Sequence, residues 1–229
     1  DAMNKDALGG LERLGQNPQY APTVAEILAP LYRVQGEDQK LIGVHEVQVA
    51  QSNDTERKVE LLHQIASLYE DAGGDLNQAF ATMARALAFD PAHAATRENI
   101  DRLARMTGRM LDLARVYEEL AGTQTDPELG SQLFAAAARV FEQDEANVER
   151  ATELYQRVLG IDPTNLAAAE ALQALFQSVE RYADMSVILQ RKASMLEDVD
   201  QQKNALYQAA LLEEEVLERP REAIGVYHK

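Results

Sequence analysis

Two stretches decide how this chain is read: ALAFDPAHAA at residues 86–95 and VLGIDPTNLAA at residues 158–168. Each is an apolar, helix-like run that closes on Phe or Ile, breaks at Asp-Pro and restarts on alanine. Asp90 and Asp162 lie 72 positions apart. Extended both ways, the spacing puts Asp at 54, 90, 126, 162 and 198, every 36 residues, with Pro after three of them. An Asp at a helix N-cap accepts a bond from an orphan backbone N–H, and Pro suits the next position, where its missing N–H is not needed. Each of these Asp residues is therefore expected to open a helix. A fixed period of this size marks a helical repeat.

The apolar positions repeat with the caps. Leu62, Ala66, Tyr69, Ala79 and Met83 recur 72 residues later as Phe134, Ala138, Phe141, Ala151 and Tyr155, and a third copy continues with Leu206, Ala210, Ala223 and Tyr227. A second family runs Leu28, Leu31, Tyr32, then Ile100, Leu103, Ala104, then Leu172, Leu175, Phe176. Within each family the apolar residues recur at three and four, the helical period, and no period-two strand is legible. The unit is four helices in 72 residues, made of two unequal pairs of about 36. Short connections such as AGGD (72–75), MTGR (106–109) and LERP (217–220) oblige each helix to turn back antiparallel. The pattern predicts helices near 3–16, 20–35, 38–51, 56–72, 75–88, 92–106, 109–122, 127–143, 147–160, 164–179, 181–196, 199–217 and 219 to the end. Pro30 should kink or shorten the second.

Composition narrows the function. The 229 residues are 46% apolar, enough for a core, with no apolar run of membrane-spanning length. A net charge of −16 disfavours a nucleic-acid partner, whose binding rests on Lys and Arg, and an anionic membrane surface equally. With no cysteine, disulfides and thiolate metal sites are excluded and the compartment stays open, cytoplasmic or periplasmic. The opening DAMNKDALGG carries no secretory leader. Four histidines (His45, His63, His93, His228) lack metal-ligand spacing, and Glu213-Glu214-Glu215 reads as a solvated helix face. No phosphate loop or nucleophile elbow is present. Neither a catalytic residue, a cofactor nor a metal is expected.

In the copies at 59–91 and 131–163, the order Leu62, Ile65-Ala66, Tyr69, Ala79, Met83, Ala86, Pro91 and Phe134, Ala137-Ala138, Phe141, Ala151, Tyr155, Val158, Pro163 resembles the tetratricopeptide repeat, in the manner of long bacterial-type arrays. The alternating pairs match less well: Gly36 and Gly108 sit in their turns, but the third copy has Glu180 there, and Glu213 replaces the aromatic of the last copy. The resemblance implies an all-α, right-handed superhelical solenoid of antiparallel helix pairs. Across residues 1–229 it would hold about six pairs, divided at 18–54, 54–90, 90–126, 126–162 and 162–198, with 1–17 the second helix of a preceding pair and 198–229 incomplete. Both ends lack a polar capping helix, so a segment of a longer array is expected.

The resemblance further implies a protein- or peptide-binding scaffold, with the first helix of each pair on a concave wall. Carried over, that wall holds Glu26, Arg33, His63, Glu70, Glu98, Arg102, Arg105, Arg139, Glu170 and Tyr207. Glu26, Glu98 and Glu170 recur at intervals of 72, an acidic ladder suited to a basic or amide-rich peptide; alternatively they are copies of a helix-favouring Glu, Glu98 pairing with Arg102 one turn along. Where chaperone-binding members carry Lys and Asn to clamp a C-terminal carboxylate, this chain has His63 and Ser67, or Ala135 and Arg139. Two further readings stand beside the scaffold: a self-associating array, and a regulatory segment of an enzyme whose catalytic domain lies elsewhere.

Overall fold

The structure, a computed structural model, describes residues 5–71 and 74–229. The expected helix start at residue 3 and the Ala72-Gly73 half of the first connection lie outside these residues. The described chain is all-α. Its helices are α1 (Lys5–Gly15), α2 (Ala21–Gln35), α3 (Asp38–Gln51), α4 (Thr55–Asp71), α5 (Leu76–Phe89), α6 (Ala94–Thr107), α7 (Met110–Thr123), α8 (Pro127–Phe141), α9 (Val148–Ile161), α10 (Leu166–Ser178), α11 (Tyr182–Ala193), α12 (Val199–Leu211) and α13 (Pro220–Tyr227). A 3-10 turn precedes α9 and a π turn, Leu212–Val216, follows α12. No strand occurs among the described residues.

The chain divides into two compact units, Asp1–Leu113 and Ala114–Lys229. In the first, each helix from α1 to α6 packs on the next, and Ala66 meets the α4–α5 core with Ala79, both fully buried beside Leu62, Ile65 and Leu87. A second cluster joins Val24, Leu28, Ala29 and Tyr32 of α2 to Leu41 of α3. In the second unit Ala138 and Ala151 play the same part between α8 and α9, and Ala210 and Ala223 between α12 and α13. Alanine at these positions lets two backbones approach where a larger side chain would hold them apart. Phe141 and Tyr155 are buried as the pattern requires, whereas Tyr69 is only half-buried.

The 36-residue Asp series splits into two classes, which corrects the expectation that every member opens a helix. Asp54, Asp126 and Asp198 are caps: their carboxylates accept the backbone N–H of Glu56, Glu128 and Gln201 at 3.0, 3.0 and 2.8 Å. Asp90 and Asp162 instead close α5 and α9 in extended conformation and accept N–H bonds from Ala92 and Thr164, both 3.0 Å, within a turn. The caps of α6 and α10 stand three residues on, at His93 and Asn165. A following Pro holds its predecessor out of the helical region, so Asp-Pro ends one helix as readily as it opens another. The true period of the capping chemistry is therefore 72.

Three helix ends share one device at that interval. Gly36, Gly108 and Glu180 have φ of 68°, 69° and 57°. The following N–H groups of Glu37, Arg109 and Arg181 bond back to Tyr32 O, Ala104 O and Phe176 O at 3.0, 2.8 and 2.8 Å. This is the Schellman closure, which needs a left-handed residue. Glu180, a departure in sequence, keeps the backbone of its glycine counterparts. Pro30, exposed within α2, neither breaks nor shortens that helix, which runs on to Gln35. The reading of Glu213-Glu214-Glu215 as a solvated face is also corrected. Glu213 falls at the inward position of Phe141 and is 6% exposed in the π turn, with Arg219 at 4.0 Å, while Glu214 and Glu215 face solvent.

Candidate functional site

The first helices of the first unit, α2, α4 and α6, are joined to one another by polar side chains. Arg33 of α2 donates to Gln64 of α4 at 3.1 Å. Arg102 of α6 donates through both terminal nitrogens to the two carboxylate oxygens of Glu70 on α4, each at 2.8 Å. His63 of α4 lies 2.7 Å from the Thr96 hydroxyl of α6. Arg105 pairs with Asp101 one turn back on its own helix at 2.5 Å. Glu26 and Glu98 are exposed and enter no ion pair among the described residues; Glu98 is not the partner of Arg102, because the bidentate site on Glu70 claims the guanidinium.

A substitution within the repeat explains why Glu70 faces the next pair. One and two repeats on stand Glu142 and Glu214, which accept the phenol O–H of Tyr155 (2.6 Å) and Tyr227 (3.2 Å) across their own hairpins. The matching residue in the first copy is Met83, which has no hydroxyl, so Glu70 turns to Arg102 instead. Burial and the Glu142 carboxylate together push the Tyr155 phenol well above its usual range. The second helices are bridged in register too. Arg85 holds Glu46 with bonds of 2.6 and 2.7 Å, and Lys229 donates to Gln190 at 2.7 Å, the same two positions two repeats apart. In the middle copy Glu118 is held by Arg150 and Arg157 lies over the Phe134 ring.

In the second unit, Glu170 of α10 is bound by Lys192 of α11 at 3.0 Å, and the same ammonium donates to Gln173 at 3.3 Å. A cavity of about 280 Å³ lies beside this pair, lined also by Gln201, Asn204 and Gln208 of the α12 segment. Arg139 is exposed on α8. Tyr207 is 55% exposed on α12, its ring 6.0 Å from that of Tyr227, beside an open cavity of about 670 Å³. Sequence reading missed Lys192, Gln64 and Thr96, whose importance lies in partners 19 to 33 residues away. The rungs of the acidic ladder are thus unequal: Glu170 carries its own cation, and Glu26 and Glu98 do not.

Among the described residues no three His, Cys, Asp or Glu side chains gather to hold a metal ion, and no helix is long and apolar enough to cross a membrane.

No family model and no curated protein matches the chain. Solved structures similar to it include the C-terminal part of a TPR repeat-containing protein from Cytophaga hutchinsonii, 13% identical over 95% of this chain and 92% of that one, with a TM-score of 0.45. PilF of Pseudomonas aeruginosa is 15% identical over 92% and 90%, with a TM-score of 0.42. The TPR2AB domain of yeast Sti1, in complex with a peptide of HSP90, is 14% identical over 90% and 84%, with a TM-score of 0.33. The chain is similar to tetratricopeptide-repeat structures, and its all-α series of packed helix pairs stands on its own contacts.

Proposed function

We propose that this chain is a non-enzymatic scaffold that holds a protein or peptide segment along the exposed faces of its first helices. The carrying observation is the polar surface of α2, α4 and α6, where Arg33, Gln64, Glu70 and Arg102 are tied helix to helix. Such ties hold a surface in one shape, which lowers the ordering cost of binding. Glu26 and Glu98 stand on that surface without a cation and offer charge-assisted bonds to basic groups of a partner. The net charge of −16 favours the encounter. Each repeat of about 36 residues then supplies one segment of the binding wall.

The test is affinity capture with the wild-type chain beside a bait carrying Glu26→Lys, Glu98→Lys and Glu170→Lys. A partner held by the first and released by the second supports binding at this face. Because Glu170 is already paired, the first two changes are expected to account for most of the loss. Equal capture by both baits moves the interaction elsewhere.

A second reading, self-association, is favoured by the α12–α13 end, where Val199, Tyr207 and Tyr227 are all about half exposed around one open cavity. Sedimentation across a hundredfold concentration range distinguishes it, since a mass that stays constant excludes it.

A further inference from the structure

We propose that His63, Thr96 and His93 form an acid-sensitive clasp that holds α4 against the N-terminus of α6 at neutral pH and opens on acidification. Thr96 is fully buried, and its hydroxyl lies 2.7 Å from His63 Nε2 and 2.8 Å from His93 Nδ1. His93 is also the N-cap of α6: its Nδ1 accepts the Thr96 backbone N–H at 3.2 Å. That role needs an unprotonated Nδ1. A proton there sets N–H against N–H, removes the cap and places a positive charge at the positive end of the helix dipole. The two rings meet edge to face with centroids 5.4 Å apart, so two imidazolium ions would also repel.

Burial, then the neighbouring His93, holds the His63 imidazole below its ordinary value of 6.5. The sign follows: the folded state binds its proton less readily than the unfolded chain, so stability is intact above about pH 6.5 and declines below it. The charges facing the clasp do not reverse this. Asp54, Glu56, Glu60 and Asp90 line the adjoining cleft of about 870 Å³, and Arg57 shares it. Glu60 is paired with Arg57 at 2.5 Å, and Asp54 and Asp90 are occupied by backbone N–H groups. Arg97 holds Pro91 O at 2.6 Å, Lys58 lies over the Phe89 ring of α5, and Arg33 reaches α4 from α2 at Gln64.

The repeat supplies a control. One step of 72 on, the three positions are Ala135, Ala168 and Asn165. Asn165 caps α10 through a 3.0 Å bond from Ala168 N–H, so the same helix start is capped without a titratable group. The clasp does not depend on what, if anything, binds the surface nearby.

The experiment is hydrogen exchange by mass spectrometry on the full chain at pH 7.5 and 5.5, corrected for intrinsic exchange. Segments of α8 and α10 serve as the internal reference. Expected is a loss of protection in α4 and α6, not shared by the reference segments, of about tenfold per unit by which the folded pKa of His63 lies below its unfolded one. His93→Asn, which installs the cap of the second copy and takes away the ring that helps depress His63, should lessen that loss. His63→Ala, His93→Asn and Thr96→Ala together should remove the clasp's share. His45, buried on α3 with Gln48 on Nδ1 and its charge opposed by burial and by Arg33 and Arg57, is present in every variant and cancels from the difference. Equal acid loss in wild type and His93→Asn, or unchanged α4 and α6 protection at pH 5.5, overturns the proposal.

Discussion

Replacing Glu180 by Gly should stabilise the protein, and the repeat states by how much. Glu180 holds φ 57° where Gly36 and Gly108 hold 68° and 69°, and all three close a Schellman turn. A side-chain-bearing residue in this region costs about 1–2 kcal/mol through contact of Cβ with the following carbonyl. Glycine gives back about 0.5–1 kcal/mol because its unfolded chain is more mobile. Glu180 is exposed and its side chain makes no hydrogen bond or ion pair among the described residues, so no contact is lost. The net gain is about 0.5–1 kcal/mol, or a rise in Tm of roughly 1–4 °C for a chain of this size. The reverse change tests the same torsion. Open space surrounds Gly108, so Gly108→Ala meets only the backbone penalty and should cost about 1 kcal/mol. Urea unfolding followed by circular dichroism at 222 nm reads both as midpoint shifts of a few tenths molar. A lower midpoint for Glu180→Gly, or a higher one for Gly108→Ala, refutes the reasoning.

Glu213→Met should raise stability by about 1–2 kcal/mol, because a buried carboxylate oxygen without a hydrogen bond costs more than its distant contact with Arg219 returns; hydrogen exchange of α12 and α13 reads the change. Ala at Asp54, Asp126 or Asp198 should cost about 0.5–2 kcal/mol by loss of a helix cap, while α6 keeps its His93 cap in Asp90→Ala; helix-resolved exchange distinguishes the two classes. Tyr155→Phe should cost about 1 kcal/mol with the bond to Glu142. Because the folded phenol holds its proton more tightly than the unfolded one, wild type should lose stability as pH rises above about 10, and Tyr155→Phe should lose less in the same melts. Arg102→Ala should change stability by less than about 1 kcal/mol despite its bidentate geometry, since the guanidinium is half exposed; a larger loss would mark the Glu70 bridge as structural.

Element type and order were legible in the sequence because they rest on local chemistry. Helical spacing of apolar residues, alanine at 66, 79, 138 and 151, and Asp-Pro punctuation each act within a turn or two of where they stand. Residue identity alone therefore determined an all-α chain of paired helices and, from the 72-residue step, the inward stripe apart from the buried Glu213 and the half-buried Tyr69. It did not determine which Asp caps and which merely turns. That depends on whether the backbone after Pro enters a helix at once, as at Pro127, or three residues later, as at Pro91.

The candidate surface was legible as a set of positions and not as a set of bonds. Glu26, Glu98 and Glu170 look alike in sequence, yet only the last meets a cation, because Lys192 reaches it from another helix. Glu70 and Glu142 look alike too, and part company over whether residue 83 or 155 brings a hydroxyl. A helix writes its core stripe into its own sequence, since burial is set by its own periodicity. The partner of a polar side chain is set by which neighbouring helix arrives within about 3 Å, and only tertiary packing decides that.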